Sequence, residues 1–235
     1  MSAGLSSRQL KRRVREALAE DNWRERLAEL AELAGPSGRT GQGFITALLA
    51  ALSSGQSIVR WRAVSFLGPT VAQIAEANPE AGREVMRRLV WGLNEESGAV
   101  AWGAPEALGE IMAQCPALAD EFANLLMAYV SDCDMALDFA PLRAGAVWGL
   151  GRLAKAQPEL LRERRAEEIL LPLTHEADPQ VRGLAVWALG WSSGSSAAER
   201  LSQLTSDEAG VELFDQDQLR TATVGRLARE ALERI

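Results

Sequence analysis

The sequence contains little of the side-chain chemistry on which catalysis usually depends. His175 is the only histidine, and Cys115 and Cys133 are the only cysteines. One imidazole cannot build a histidine metal cluster or more than one Ser-His-Asp arrangement. The glycines follow a repeat frame instead of forming a phosphate-binding loop. We therefore predict no cofactor and no metal site, and we favour a non-catalytic role while leaving an enzyme open.

Long hydrophobic runs are also missing. The longest extends from Phe44 to Leu52 with one threonine inside it, which is far too short to cross a bilayer. The amino-terminal residues lack the apolar stretch of an export signal. We expect a cytoplasmic protein with no membrane contact. The two cysteines flank a predicted helix that would separate them beyond disulfide reach, so we expect free thiols.

A surplus of basic residues is absent as well. The chain has 25 Lys and Arg against 32 Asp and Glu, a net charge of -7. Nucleic acid is not an expected partner, because neutralising phosphates requires excess cations. The first fifteen residues are the exception, with five cations and no acid: Arg8, Lys11, Arg12, Arg13 and Arg15. They could meet an acidic partner or phosphate, or form the polar outer face of a terminal repeat.

An internal repeat is present. The pattern V-R-x-x-A-V-x-x-L-G recurs at residues 59–68, 142–151 and 181–190, with weaker copies at 100–109, 219–228 and 22–31. The spacing predicts one domain, 1–235, made of six units of about 40 residues. Their expected bounds are 5–38, 39–78, 79–115, 116–157, 158–195 and 196–235.

Each unit has the pattern of two helices. The repeated segment places apolar residues at i, i+4, i+7 and i+8, which indicates one buried helix face, and we name it helix B. An amphipathic helix A precedes each B helix, at 6–20, 43–52, 80–93, 117–130, 162–175 and 197–204. The pairs Asn78-Pro79, Cys115-Pro116 and Gln157-Pro158 stand where a new A helix should begin. No strand-like alternation was found, so the prediction is an all-α solenoid of helix pairs.

The residues from Asp178 to Gly190 read Asp-Pro-x-Val-Arg followed by Ala-Val-x-x-Leu-Gly. This segment resembles the HEAT-like repeat first described in phycobilisome lyases. The resemblance implies that B helices line a concave surface and that the repeat Asp and Arg hold adjacent units together. By position, these residues would be Asp178 with Arg182, and Arg60, Arg143 and Arg220 in their own units.

Tryptophan recurs on the B-helix face that points away from each unit's own core. This row contains Trp61, Trp102, Trp148 and Trp187, and Trp191 follows in the fifth unit. One interpretation is an exposed aromatic strip in the concave groove that binds a partner segment. The other is packing between adjacent B helices, since burying an indole is strongly favourable. The sequence leaves both open.

Two carboxylates and two loops complete the candidate contacts. Glu106 and Glu110 lie one turn apart on helix B of the third unit, where they could act as acid and base, accept a basic partner, or form a solvated face. The stretches 131–139 and 207–217 are predicted to be loops, available for contacts or present as insertions.

The function we favour is a non-catalytic protein-interaction scaffold or adaptor with a partner segment in the Trp-lined groove. The acidic balance of the chain favours a basic or helical segment as the partner. The alternative class is a lyase-like protein that handles a chromophore or another cofactor, or a HEAT-like DNA glycosylase. The binding residues would be Trp61, Trp102, Glu106, Glu110, Trp148, Trp187 and Trp191.

Overall fold

The computed structural model describes residues 5–33, 41–94, 100–192 and 194–235. In these ranges the chain forms helices and one β-hairpin. The helices are α1 (Ser7–Ala19), α2 (Trp23–Leu33), α3 (Gln42–Ala51), α4 (Ser57–Ala77), α5 (Pro79–Leu93), α6 (Ala104–Gln114), α7 (Pro116–Ala128), α8 (Ala140–Ala156), α9 (Pro158–Glu163), α10 (Ala166–Leu173), α11 (Pro179–Ser192), α12 (Ala198–Leu204) and α13 (Val224–Leu232), and the strands are β1 (Gly210–Asp215) and β2 (Gln218–Thr223).

Two compact units can be distinguished, residues 1–107 and 108–235. The first contains α1 to α5 and the start of α6, and the second contains the rest of α6, α7 to α13 and the hairpin. The fold class is the predicted all-α solenoid of helix pairs. The single domain over 1–235 stays a prediction.

Capping residues position the helices of the first unit. The Ser6 side chain accepts from the backbone N–H of Gln9, and the Gln9 side chain accepts from the N–H of Ser6, a reciprocal capping box. Asn78 accepts from the N–H of Ala81 and Pro79 is the first residue of α5. The predicted Asn-Pro start is therefore correct, and Pro116 and Pro158 likewise open α7 and α9.

The glycine at the last position of the repeat pattern lies against the B helix of the next repeat. A Cβ added to Gly109 would lie 2.2 Å from the Cα of Gly149 in α8. A Cβ on Gly151 would lie 2.4 Å from the ring of Trp187 in α11. A Cβ on Gly190 would lie 2.8 Å from Ala231 in α13. These glycines cost helix propensity, and the close packing of successive B helices explains their presence.

The arginines of the repeat pattern join one repeat to the next, but not through the expected partner. Arg182 Nε donates to Asp207 at 2.9 Å, and Arg143 donates to Glu176 at 2.6 Å. Asp178 instead accepts from the N–H of Gln180 and caps α11. The predicted pairing of Asp178 with Arg182 is therefore wrong. Asp178 caps its own helix, and the side chain of Arg182 binds Asp207 in the following repeat.

Two sequence predictions about helix boundaries are wrong. The fifth A helix is broken into α9 and α10 at Arg165, whose φ of 57° lies in the left-handed region. The predicted loop 207–217 and the start of the sixth B helix instead form the β-hairpin, with Val211 opposite Ala222 and Leu213 opposite Arg220. Stretch 131–139, by contrast, does connect α7 to α8 without helix or strand.

Both cysteines are free thiols, Cys115 buried and Cys133 exposed, as expected. Among the described residues, no helix combines the length and apolar character needed to span a membrane.

Candidate functional site

The predicted groove residues fall into the two units. Trp61, Trp102 and Glu106 belong to the first unit, while Glu110, Trp148, Trp187 and Trp191 belong to the second. Each set has a different environment, so we describe them separately.

In the second unit, Trp148 and Trp187 are buried, with 2% and 1% of their surface exposed. Their rings stack with centroids 6.5 Å apart and planes 18° apart. Nε1 of Trp148 donates a 2.8 Å hydrogen bond to the backbone carbonyl of Phe214 in β1. The exposed-strip prediction is wrong for these two indoles, because β1 and the adjacent B helix cover them.

The hairpin lies against the B helices at this position. Val211, Leu213 and Phe214 are buried, and a Cβ on Gly183 of α11 would lie 2.3 Å from the side chain of Val211. The amide of Gln180 binds the free edge of β1, since Nε2 donates to the carbonyl of Glu212 at 2.7 Å and Oε1 accepts from its N–H at 2.9 Å. The hairpin therefore occupies the B-helix face that the sequence assigned to a partner.

A weak signal for this hairpin exists in the sequence. Val211, Glu212 and Leu213 alternate between apolar and polar side chains, as a half-buried strand does. In the structure, the two-residue turn Gln216–Asp217 has φ values of 51° and 60°. Two positive φ values are the signature of a type I′ turn. No glycine occupies either turn position, so the usual sequence marker is missing.

Trp191 is half-buried beside two cations. The guanidinium of Arg234 is 4.4 Å from the ring centroid of Trp191, and Nζ of Lys155 is 5.2 Å from it. Lys155 also pairs with Asp215 at the end of β1, at 2.7 Å. These contacts join α8 to the end of β1 and Arg234 to α11.

Glu110 is 7% exposed and paired. Its carboxylate accepts from Arg152 Nε at 2.6 Å and from Gln114 Nε2 at 2.9 Å. Burial raises the pKa of Glu110 above its ordinary value, and the neighbouring charge of Arg152 opposes that rise. The interpretation of Glu110 as part of a solvated face is wrong, since its carboxylate is buried and joins α6 to α8.

In the first unit, Trp61 and Trp102 are half-buried. The guanidinium of Arg60 in α4 lies over Trp102, 5.8 Å from the ring centroid. Gly103, with a φ of 72°, turns the chain into α6, and a Cβ there would lie 3.1 Å from Cγ of Arg60 and 3.2 Å from Leu52. The turn therefore fits closely against the Arg60 side chain.

Glu106 follows in the first turn of α6 and is 8% exposed. Its Oε2 is buried without a hydrogen-bond partner, and so is Nε of Arg60. Burial raises the pKa of Glu106 to about 7, although its own backbone N–H and the charge of Arg60 lower it. The solvated-face interpretation is therefore wrong for Glu106 too. We call Arg60, Trp102 and Glu106 the α4–α6 site.

The α4–α6 site combines complementary chemistry. Arg60 Nε–H is a donor, the Glu106 carboxyl can donate or accept near neutral pH, and Trp102 provides an apolar surface. Arg60 was noted in the sequence only as a repeat residue, because nothing local shows that it lies over Trp102.

In the described ranges, no group of three or more His, Cys, Asp or Glu side chains could hold a metal ion. His175 is exposed.

Residues 140–190, from the first residue of α8 into α11, match the family model of the HEAT-like repeat. This segment is a HEAT-like repeat. The chain is 27% identical over 177 residues to an uncharacterized protein of Archaeoglobus fulgidus, a match that covers 75% of this chain and 88% of the relative.

Two solved structures share the fold of this chain. A designed armadillo repeat protein aligns with a TM-score of 0.54 at 19% identity, covering 97% of this chain and 92% of its own. An engineered protein from a structural-genomics consortium aligns with a TM-score of 0.50 at 20% identity, covering 96% and 95%. At these identities the likeness is one of fold.

Proposed function

We propose that this chain is a non-catalytic protein-interaction scaffold that binds a partner segment at the α4–α6 site. The observation that carries the proposal is the half-buried indole of Trp102, which keeps part of its surface accessible beneath the half-buried guanidinium of Arg60. The coarser part of the proposal rests on the fold, because stacked helical repeats are typical of interaction scaffolds.

A peptide amide fits this site chemically. Its carbonyl oxygen accepts from the half-buried guanidinium of Arg60, and its flanking carbons pack on Trp102. An extended segment presents such amides along its whole length.

The first unit is favoured over the second because of the hairpin. In the second unit, Trp148 and Trp187 are already covered by residues of the same chain. Trp61 and Trp102 keep part of their surface accessible. The net charge of -7 favours a partner segment that carries basic residues.

A peptide selection tests the proposal. Random peptides of about twelve residues would be selected against the full chain, and the most enriched peptide titrated by calorimetry against the wild type and variants. We expect Trp102→Ala to weaken binding by about tenfold or more, since buried tryptophans dominate interface energies. Arg60→Lys, which keeps the charge but removes the planar guanidinium, should also weaken it.

Phe139→Ala is the control, because Phe139 is an exposed aromatic residue of the other unit. Its effect should stay within about twofold. Failure to enrich any peptide, or equal affinities of wild type and Trp102→Ala, would overturn the proposal.

A further inference from the structure

We propose that helix α1 and the end of α3 form a second binding site, for a small anion that carries two or more phosphate groups. Four cations of α1 line a cavity of about 520 Å³ in the first unit, together with Gln9, Ala50 and Ala51. The cations are Arg8, Lys11, Arg12 and Arg15. We name this cavity the α1–α3 pocket.

The pocket concentrates one sign of charge. Its cations follow the spacing i, i+3, i+4 and i+7, which places them on one face of α1. Among the described residues that line the pocket, none carries a carboxylate. Within the described ranges, Arg8, Lys11 and Arg15 have neither an ion pair nor a side-chain hydrogen bond, and Arg12 has only a 3.7 Å contact with Glu16 at the surface.

This arrangement is unfavourable without an anion. Like charges one turn apart destabilise a helix, and cations near a helix N-terminus oppose its dipole. The first turn of α1 has no acidic residue to compensate. The cations are not required as hydrogen-bond donors for the nearby carbonyls of Leu49 and Ala51 at the end of α3. These carbonyls already accept from the backbone N–H groups of Leu52 and Ser54.

The chemistry of the lining points to phosphate. Three guanidinium groups can each bind two oxygens of a phosphate, and Lys11 adds a compact charge. The apolar wall is small, since Ala50 and Ala51 contribute only methyl groups. A volume of about 520 Å³ is in the range of small-molecule sites.

The charge of the whole chain argues for a small ligand over a long polyanion. Helix α1 is basic, while the chain as a whole carries a net charge of -7. A nucleic acid that continued beyond the pocket would meet this acidic surface, whereas a compact anion would interact mainly with the cations around it.

Calorimetric titration of the full chain tests the site, with tripolyphosphate, pyrophosphate and inorganic phosphate as probes at about 50 mM salt. We expect affinity to rise in the order phosphate, pyrophosphate, tripolyphosphate, and to fall as salt is raised. Lys11→Gln with Arg15→Gln should weaken tripolyphosphate binding by about tenfold or more, because charge-assisted hydrogen bonds are lost.

The matched control is Arg13→Gln, which removes one positive charge from the same exposed helix outside the pocket lining. It should change the affinity by less than about twofold. Equal losses in Arg13→Gln and in the separate single variants Lys11→Gln and Arg15→Gln would show a general charge effect and overturn the proposal. Absence of tripolyphosphate binding at low salt, or equally tight binding of polyglutamate, would overturn it as well.

Discussion

The indole N–H of Trp148 donates to the backbone carbonyl of Phe214 across a sequence separation of 66 residues, at 2.8 Å. This bond joins α8 to the hairpin in the second unit. It explains why a tryptophan on the outward face of a B helix is buried, since the covering strand comes from a distant part of the chain.

Loss of this hydrogen bond should destabilise the protein. Trp148→Phe keeps an aromatic ring but removes Nε1–H, and it leaves the buried Phe214 carbonyl without this donor. We expect the free energy of unfolding to fall by about 2–4 kcal/mol, from the lost hydrogen bond and the smaller ring. Urea denaturation measures the change. Trp61→Phe, at a half-buried position, should cost clearly less, and equal costs would contradict the role of the bond.

Close packing of B helices makes Gly109 intolerant of a side chain. Gly109→Ala would place Cβ 2.2 Å from the Cα of Gly149, a backbone atom that cannot move away without shifting α8. The gain of about 1 kcal/mol in helix propensity is outweighed, and we expect a net loss of about 2–3 kcal/mol in thermal or chemical denaturation.

Gly55→Ala is the matched control for Gly109→Ala, because nothing lies within 4 Å of the added Cβ. It should change the free energy of unfolding by no more than about 0.5 kcal/mol. A similar loss in both variants would show that the spacing between α6 and α8 is not the cause.

The buried carboxyl of Glu106 should make stability depend on pH. Its pKa is raised to about 7 in the folded state from 4.5, so the folded protein keeps a proton that the unfolded chain releases. Stability therefore falls as pH rises from about 4.5 to about 7 and then levels off, with a total contribution on the order of 3 kcal/mol. Glu106→Gln cannot ionise and should make this decline smaller, leaving the part that comes from the raised pKa of Glu110.

Urea denaturation from pH 4.5 to 8 measures the effect, with Glu32→Gln as the control because Glu32 is exposed on α2. The control should leave the pH profile unchanged. If Glu106→Gln retained the same decline between pH 4.5 and 7, another group would be responsible for it.

Removing only one partner of the ion pair between Glu110 and Arg152 should lower the free energy of unfolding. Arg152→Met removes the partner of a carboxylate that is 7% exposed, and we expect a loss of about 3 kcal/mol because the carboxylate remains buried. Adding Glu110→Leu to Arg152→Met should recover much of that loss. A double variant as unstable as the sum of the two single variants would contradict an energetic coupling between them.

Local patterns predicted the helices well. The prolines at 79, 116 and 158 do begin helices, because proline fits the first helical position and the residue before it resists helical geometry. The hairpin was missed because its turn at Gln216 and Asp217 uses left-handed conformations without glycine. The break at Arg165 was missed for the same reason.

The candidate site was predicted only in part. The position on helix B singles out Trp102 and Glu106, but it leaves the role of Glu106 open between acid-base chemistry, a basic partner and a solvated face, and it predicts Arg60 only as a tie between repeats. Their burial and proximity depend on α4 meeting the turn at Gly103, a contact that no local pattern reports.

The amino-acid sequence by itself determined the repeat, its period and its helical character, because these follow from the spacing of apolar, small and capping residues within a few turns. Only the tertiary structure decided which indoles stay accessible. That outcome depends on which distant segment packs over each B-helix face, as Phe214 does over Trp148 and the following helix does at Gly151. Burial depends on such long-range contacts, so residues at the same position in the repeat can be buried in one repeat and partly exposed in another.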